Sequence, residues 1–238
     1  MKEKIEKLEK FMEAEGLTLE DVHAYCVNEL EKERLSQEQK AKEEERKKIA
    51  EIFPEDDVRS RALLYDYAFE GGKFSPEPNA YPNCQGVVGW INPDPDAPEG
   101  ERVYIVLLEQ KIMPYSSELC YVGADDSYDG RANTLKLIEY GKKHGIKFPA
   151  AEFAFNYCKN GVKKGEAFLP ATKQLVSVRA NFDEVRQAFN KIGGVFNGEL
   201  WSSTESSKGA AVCVTMNNND VVSEDKRDSG EFNCFLAY

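Results

Sequence analysis

The sequence predicts an α+β domain carried behind a helical arm. Three observations support this. Residues 1–53 hold a single Gly and no Pro and are rich in Glu, Lys, Ala and Leu, which favour helix. From residue 58 onward, short apolar runs are separated by Gly-, Pro- and Asn-rich connections. Those runs read as few strands and scattered helices, without the regular alternation of a βαβ sheet. At 238 residues the chain has room for one ordinary domain with an appendage, or for two small ones.

Within the arm, Ile5, Leu8, Phe11 and Met12 recur at helical spacing and predict an amphipathic helix over 2–15, closed by Gly16. Thr18 with Asp21 three residues on reads as an acidic variant of the capping box. Val22, Cys26 and Leu30 then give a second helix its apolar stripe. Ser36–Lys48 is polar on every face. It reads as a solvated helix held by Glu/Lys pairs, or as an imperfect coiled coil, since strict heptads are not sustained. Pro54 stops the helix and leaves Ile52 and Phe53 to dock on the globular domain after it. The arm is expected to be a spacer or an assembly handle through which copies associate.

Beyond it, Arg59–Phe69 reads as a short helix and residues 71–83 as loop. Gly86–Ile91 and Val103–Leu108 are β-branched runs flanking a Pro/Asp-rich separator, which predicts a hairpin with a long connection. Helices are expected over Ala132–His144, Ala150–Lys159 and Phe182–Ile192, the last with Asn181 as N-cap. Ala210–Met216 and Phe232–Tyr238 close the chain as apolar segments around a polar one. The expected division is a helical arm (1–53), a connecting segment (54–85) and a globular domain (86–238).

Charge and motifs exclude several classes. Forty-two acidic against 31 basic residues give a net charge of −11, which disfavours a nucleic-acid binder. No apolar run is long enough to span a bilayer. The charged start Met1-Lys2-Glu3-Lys4 has no leader core, so synthesis in the cytosol is expected, and a virion component fits as well. The six cysteines form no CxxC pair and read as reduced thiols or small buried apolar residues. Of the two histidines, His23 lies on the arm and His144 at a helix end, where a cation suits the dipole. No nucleophile–base pattern and no Walker or Rossmann glycine pattern occurs. Asp125, Ser127, Asp129 and Gly130 open like a calcium loop, but the closing position is Lys136. A solvated turn and helix cap is the expected reading. No cofactor, metal or catalytic residue is expected.

Several segments occur in a suggestive order. Gly130-Arg131-Ala132-Asn133-Thr134 resembles a "DGxxNT" element, Phe148-Pro149-Ala150-Ala151 a "PAA" helix start, and Gly165–Pro170 a "GxWxLP" element. Leu200–Glu205 matches "WSSTE", and Cys234–Tyr238 resembles a closing strand. Together they resemble the C-terminal domain of a bacterial collagen-like adhesin, of the formylglycine-generating-enzyme type of C-type lectin fold, over about residues 86–238. They are also similar to the variable proteins of diversity-generating retroelements.

The resemblance implies a C-type-lectin-like fold: a distorted antiparallel sheet with two flanking helices and ligand contacts on loops near the C-terminus. Phe168 and Val212 stand where that family often has Trp, and Asn233 stands near its Arg, which reduces the rigid aromatic part of a binding surface. The ligand-binding positions it implies are Ser206, Ser207, Lys208, Asn217, Asn218, Asn219, Ser223, Glu224, Lys226, Arg227, Asp228, Glu231 and Asn233. The implied partner is a protein or glycan on a cell surface, met by a non-catalytic binding module of a phage tail or adhesin-like assembly. The rival expectation is a structural assembly protein whose arm oligomerises and whose head is a cap.

Overall fold

The computed structural model describes Met12, Gly16 and residues 18–238; the helix expected over 2–15 falls largely outside them. The chain divides into two compact units, residues 1–48 and 49–238. Helix α1 (Leu19–Ile52) runs unbroken for 34 residues. It starts as expected: Asp21 N donates to Thr18 Oγ1 at 3.1 Å and Thr18 N to Asp21 Oδ2 at 2.8 Å. Its polar middle carries the pairs Lys32–Glu29, Arg34–Glu31 and Lys47–Glu43, each worth ~0.3–0.5 kcal/mol at such exposed sites. Cys26 and Leu30, expected on an apolar stripe, are exposed.

The second unit begins with a buried anchor. Phe53 lies under the guanidinium of Arg59, 4.0 Å from the ring centre; Ile52, expected to dock beside it, is exposed. Arg59 is itself only 1% exposed. It donates to both oxygens of Asp57 and to the carbonyls of Asn92, Asp94 and Pro95, which ties down the long connection between Ile91 and Val103. The helix expected over Arg59–Phe69 does not form. One 3₁₀ turn (Val58–Ser60) is followed by Tyr65 at φ 69°, a left-handed position that interrupts a helix, and Tyr67–Phe69 is strand β1. With β2 (Lys73–Ser75) it extends the sheet, so the expected connecting segment is part of the domain.

Strands β3 (Cys84–Ile91), β4 (Val103–Pro114), β5 (Glu199–Glu205), β6 (Ala210–Thr215), β7 (Val221–Asp225) and β8 (Ser229–Ala237) complete one eight-stranded sheet. Its order is β2-β1-β3-β4-β8-β5-β6-β7. Pairing is antiparallel except where β5 meets β8. The strand period of two assigns the side chains. Val103, Ile105, Leu107, Trp201, Cys234 and Leu236 enter one core, while Tyr104, Val106, Leu200 and Phe235 enter the other.

Helices cover both faces. Leu137 and Ile138 of α2 (Gly130–His144) and Ala151 of α3 (Pro149–Phe155) close the first core. Leu175 of α4 (Thr172–Arg179) and Val185 and Phe189 of α5 (Phe182–Lys191) close the second. This is two helices to a face, where the resemblance implied two in all. Helix α3 stops four residues earlier than expected, where Asn156 Nδ2 bonds back to the Glu152 carbonyl at 2.8 Å. Asn181 precedes α5, but its side chain donates to the Gly89 carbonyl instead of capping the helix.

Candidate functional site

The segments that resemble family motifs hold the domain together. Asn133, fully buried on α2, donates to the carbonyl of Asp126 at 2.6 Å and to Ser203 Oγ at 3.2 Å. Thr134 Oγ1 accepts from Leu169 N, and Gln174 Oε1 accepts from Gly130 N and Ala171 N. From β5, Ser203 N donates to the Pro170 carbonyl, Ser202 Oγ to the Val212 carbonyl and Thr204 Oγ1 to the Asp126 carbonyl. Trp201 is buried against Tyr115, at 5.7 Å between ring centres. The hydroxyls after Trp201 thus satisfy buried backbone groups inside the sheet, where an apolar replacement would leave them unpaired.

At the end of β5 lies a buried ion pair. Lys226 and Glu205 meet at 2.6 Å with both side chains sealed from solvent. The ammonium also donates to the carbonyls of Cys120 (2.7 Å) and Ser207 (2.9 Å). Glu205 Oε2 accepts from the backbone amides of Val122, Gly123 and Ala124 at 2.8–2.9 Å. A buried charge is tolerated only when paired and fully hydrogen-bonded, and here both conditions are met. The pair pins three loops to one another: residues 115–124, 206–209 and 225–228. Lys226 N donating to the Gly209 carbonyl and Ser116 N to the Lys226 carbonyl close the joint.

The thirteen expected binding positions separate accordingly. Ser206, Ser207, Lys208, Arg227 and Asp228 are exposed around this joint, and Arg227 is drawn to Asp225 at 2.8 Å. Hydrogen bonds from the Arg227 side chain and backbone, with its charge, lower the Asp225 carboxyl to about 2. Asn217, Asn218 and Asn219 are exposed on the turn at the far end of the β6–β7 hairpin. That turn lies about 20 Å away, given six residues of β6 at ~3.4 Å each. Ser223 and Glu224 are exposed on β7, the edge strand, between the two ends. Glu231 is half-buried on β8.

Two positions are corrected outright. Lys226 is the buried partner of Glu205, and Asn233 is fully buried and donates to the Leu107 carbonyl at 3.2 Å. Neither can face a ligand. Conversely, Leu119 and Tyr121, not anticipated as surface, are 37% and 49% exposed on either side of Cys120, whose carbonyl shares the Lys226 ammonium with Ser207. Only the long-range partnership of Glu205 and Lys226 brings them there, and no local sequence signal reports it.

The calcium-like segment spends its carboxylates locally. Asp129 caps α2 by accepting from Ala132 N, Asp126 accepts from the amides of Tyr128 and Asp129, and Asp125 accepts from the Tyr121 hydroxyl at 2.6 Å. Lys136 Nζ donates to the Gly123 carbonyl. Among the described residues, no three His, Cys, Asp or Glu side chains group as metal ligands, and no helix is long and apolar enough to cross a membrane. His144 lies in the last turn of α2 against Tyr140. All six cysteines are free, and Cys120, Cys213 and Cys234 are buried. Burial pushes the Cys213 and Cys234 thiols up, which keeps them protonated and unreactive at neutral pH.

The fold has a solved counterpart. Residues amounting to 74% of the chain superpose on a fimbrial protein from Bacteroides ovatus with a TM-score of 0.59 and 14% identity. The chain covers 49% of that protein, about half its length. At that identity the likeness is one of fold alone. No protein-family model matches the chain, and no curated protein does.

Proposed function

We propose that the chain is a non-catalytic binding module with a C-type-lectin-like head, which recognises a protein or glycan on a cell surface through the loops gathered by Lys226 and Glu205. One observation carries this reading. Ser206, Ser207, Lys208, Arg227 and Asp228 project from a backbone locked by a buried ion pair; Ser206, Lys208 and Asp228 can change at little cost to the scaffold, while Ser207 Oγ accepts from Gly209 N and Ala210 N and Arg227 pairs with Asp225. Leu119 and Tyr121 supply apolar and aromatic surface beside them, a mixture suited to adaptable recognition. The fold's likeness to a fimbrial protein agrees with an adhesin-like setting. A variable protein of a diversity-generating retroelement, on a phage tail or an adhesin, is the most specific form of the reading. Its mark is a near-identical copy of the DNA encoding the last strands, beside a reverse-transcriptase gene.

The test is a glycan array and a cell-surface protein pull-down with the full chain. The comparison variants are Ala at the five loop positions and, separately, Ser at Asn217–Asn219. Capture lost in the first and kept in the second supports the reading. Equal behaviour of all three proteins, or no capture by any, counts against it.

A second reading, assembly through the arm, is favoured by Val27, Leu30 and Leu35, which α1 exposes at 45%, 66% and 47% within one half of its circumference. Light scattering decides it: an oligomer that the double substitution Leu30→Lys, Leu35→Lys reduces to a monomer supports assembly.

A further inference from the structure

A cleft of about 370 Å³ opens between α2, the turn that follows it, α3 and the loop around Lys164. Its floor is apolar: Ile138 is buried, and Ile146 and Phe155 are half-buried.

Two glycines build it. Gly145, at φ 74°, ends α2 and turns the chain back on itself. At Gly141 a Cβ would lie 2.6 Å from the Ile146 carbonyl oxygen and 3.1 Å from the Phe148 ring. Only glycine lets the returning segment lie that close to the helix. Lys147 is then fixed by Ser117, whose amide donates to the Lys147 carbonyl at 2.8 Å and whose hydroxyl accepts from Lys147 N at 3.0 Å. On the other side, Gly165 N donates to the Phe155 carbonyl at 2.8 Å, which holds the adjacent Lys164 against α3.

The lining defines the ligand chemistry. Lys142, Lys147 and Lys164 stand around the floor, and the ammoniums of Lys142 and Lys164 lie 6.0 and 5.6 Å from the centre of the Phe155 ring. Among the described residues, no carboxylate pairs with any of the three. The one carboxylate of the lining, Glu152, accepts from Phe148 N at 3.2 Å. A chain of net charge −11 thus gathers a local positive excess here. The helix dipole accounts for Lys142, in the last turn of α2, but not for Lys147 or Lys164, which lie outside that helix. Charges of one sign above low-dielectric walls concentrate their field in a cleft. The volume is at the lower end of ordinary ligand pockets, and an apolar floor with a few placed charges is their usual lining. A bare anion would leave the floor wet, and a neutral apolar molecule would leave the ammoniums unanswered. We infer that this cleft binds a small organic acid, with an aromatic or branched apolar body against Ile146 and Phe155 and its carboxylate among the three ammoniums.

The experiment is titration of the isotope-labelled full chain with phenylacetate and isovalerate, followed by amide chemical shifts. Phenylacetamide, a body without the charge, and acetate, the charge without a body, are the controls. At least one of the two acids is expected to shift Gly141, Gly145 and Ile146 saturably, and to bind at least about tenfold more tightly than either control. The double substitution Lys147→Gln, Lys164→Gln, at two exposed positions, should weaken that acid by about tenfold and leave the melting temperature unchanged. No saturable shift with either acid overturns the inference. So does a control that binds as tightly as the acids, or binding that the double substitution leaves intact. The variant with Ala at the five loop positions alters no residue of this lining and is expected to bind the acid like the native chain, whatever becomes of cell-surface capture. Loss of the acid in that variant would move the site to the loops and overturn the assignment.

Discussion

Replacing Lys226 with Met keeps the aliphatic stem and deletes the ammonium. The buried Glu205 carboxylate then loses its 2.6 Å partner, and the Cys120 and Ser207 carbonyls lose theirs. Removing one member of a buried pair costs about 3–5 kcal/mol, a large share of a domain stability of about 5–15 kcal/mol. The three amides of Val122, Gly123 and Ala124 still hold the carboxylate, which places the expected loss toward ~3 kcal/mol. Urea unfolding at neutral pH should show a lower midpoint with an unchanged slope. Amide exchange should accelerate in residues 116–124 and 206–209 before the sheet opens. Adding Glu205→Gln, which removes the orphaned charge and keeps an acceptor, should recover part of the loss. A cost of Lys226→Met below ~1 kcal/mol, the worth of an exposed pair, would refute the claim that this joint is dry and organises the loops.

Other substitutions probe the same packing. Ala at Ser206, Lys208 or Asp228 should each change stability by no more than ~0.5 kcal/mol in thermal unfolding. Gly230→Ala drives a methyl into the buried Trp201 indole nitrogen and should destabilise by ~1–3 kcal/mol through overpacking, read by the same melt. Asp57 is held below the ordinary aspartate range first by its hydrogen bonds from Arg59. A lowered folded-state value means this stabilisation is complete above the unfolded aspartate value and is lost as pH falls through the folded one. Asp57→Asn should therefore lower stability at neutral pH and flatten its decline below about pH 4, measured by urea midpoints across that range.

Much of the architecture was legible because periodicity is local. The runs Gly86–Ile91 and Val103–Leu108 are buried on both faces, so their β-branched continuity already reads as strand. The Thr18 box and the helix end read at His144, where Gly145 caps at φ 74°, report helix ends within a few residues. Arg59–Phe69 misled because Leu63, Leu64 and Tyr67 share a helical spacing, whereas Asp66 Oδ2 accepts from Leu63 N and Tyr65 turns left-handed. Helix α4 and edge strand β7 were missed since each is short, and β7 is mostly exposed and polar. The binding positions were read correctly as polar but not as to depth. Lys226 and Asn233 resemble their exposed neighbours in sequence, and only partners at 205 and 107 reveal that they are buried.

The position of β8 has a consequence for biogenesis. Residues 229–237 occupy the middle of the sheet, between β4 and β5, and among the described strands they join its two halves. Until β8 docks, the inner edges of β4 and β5 have no strand between them. The sheet can close only once residues 229–237 are in place. Such non-local closure is slow, and it makes the interval before β8 docks the moment when this chain is most open to mispairing with a neighbour.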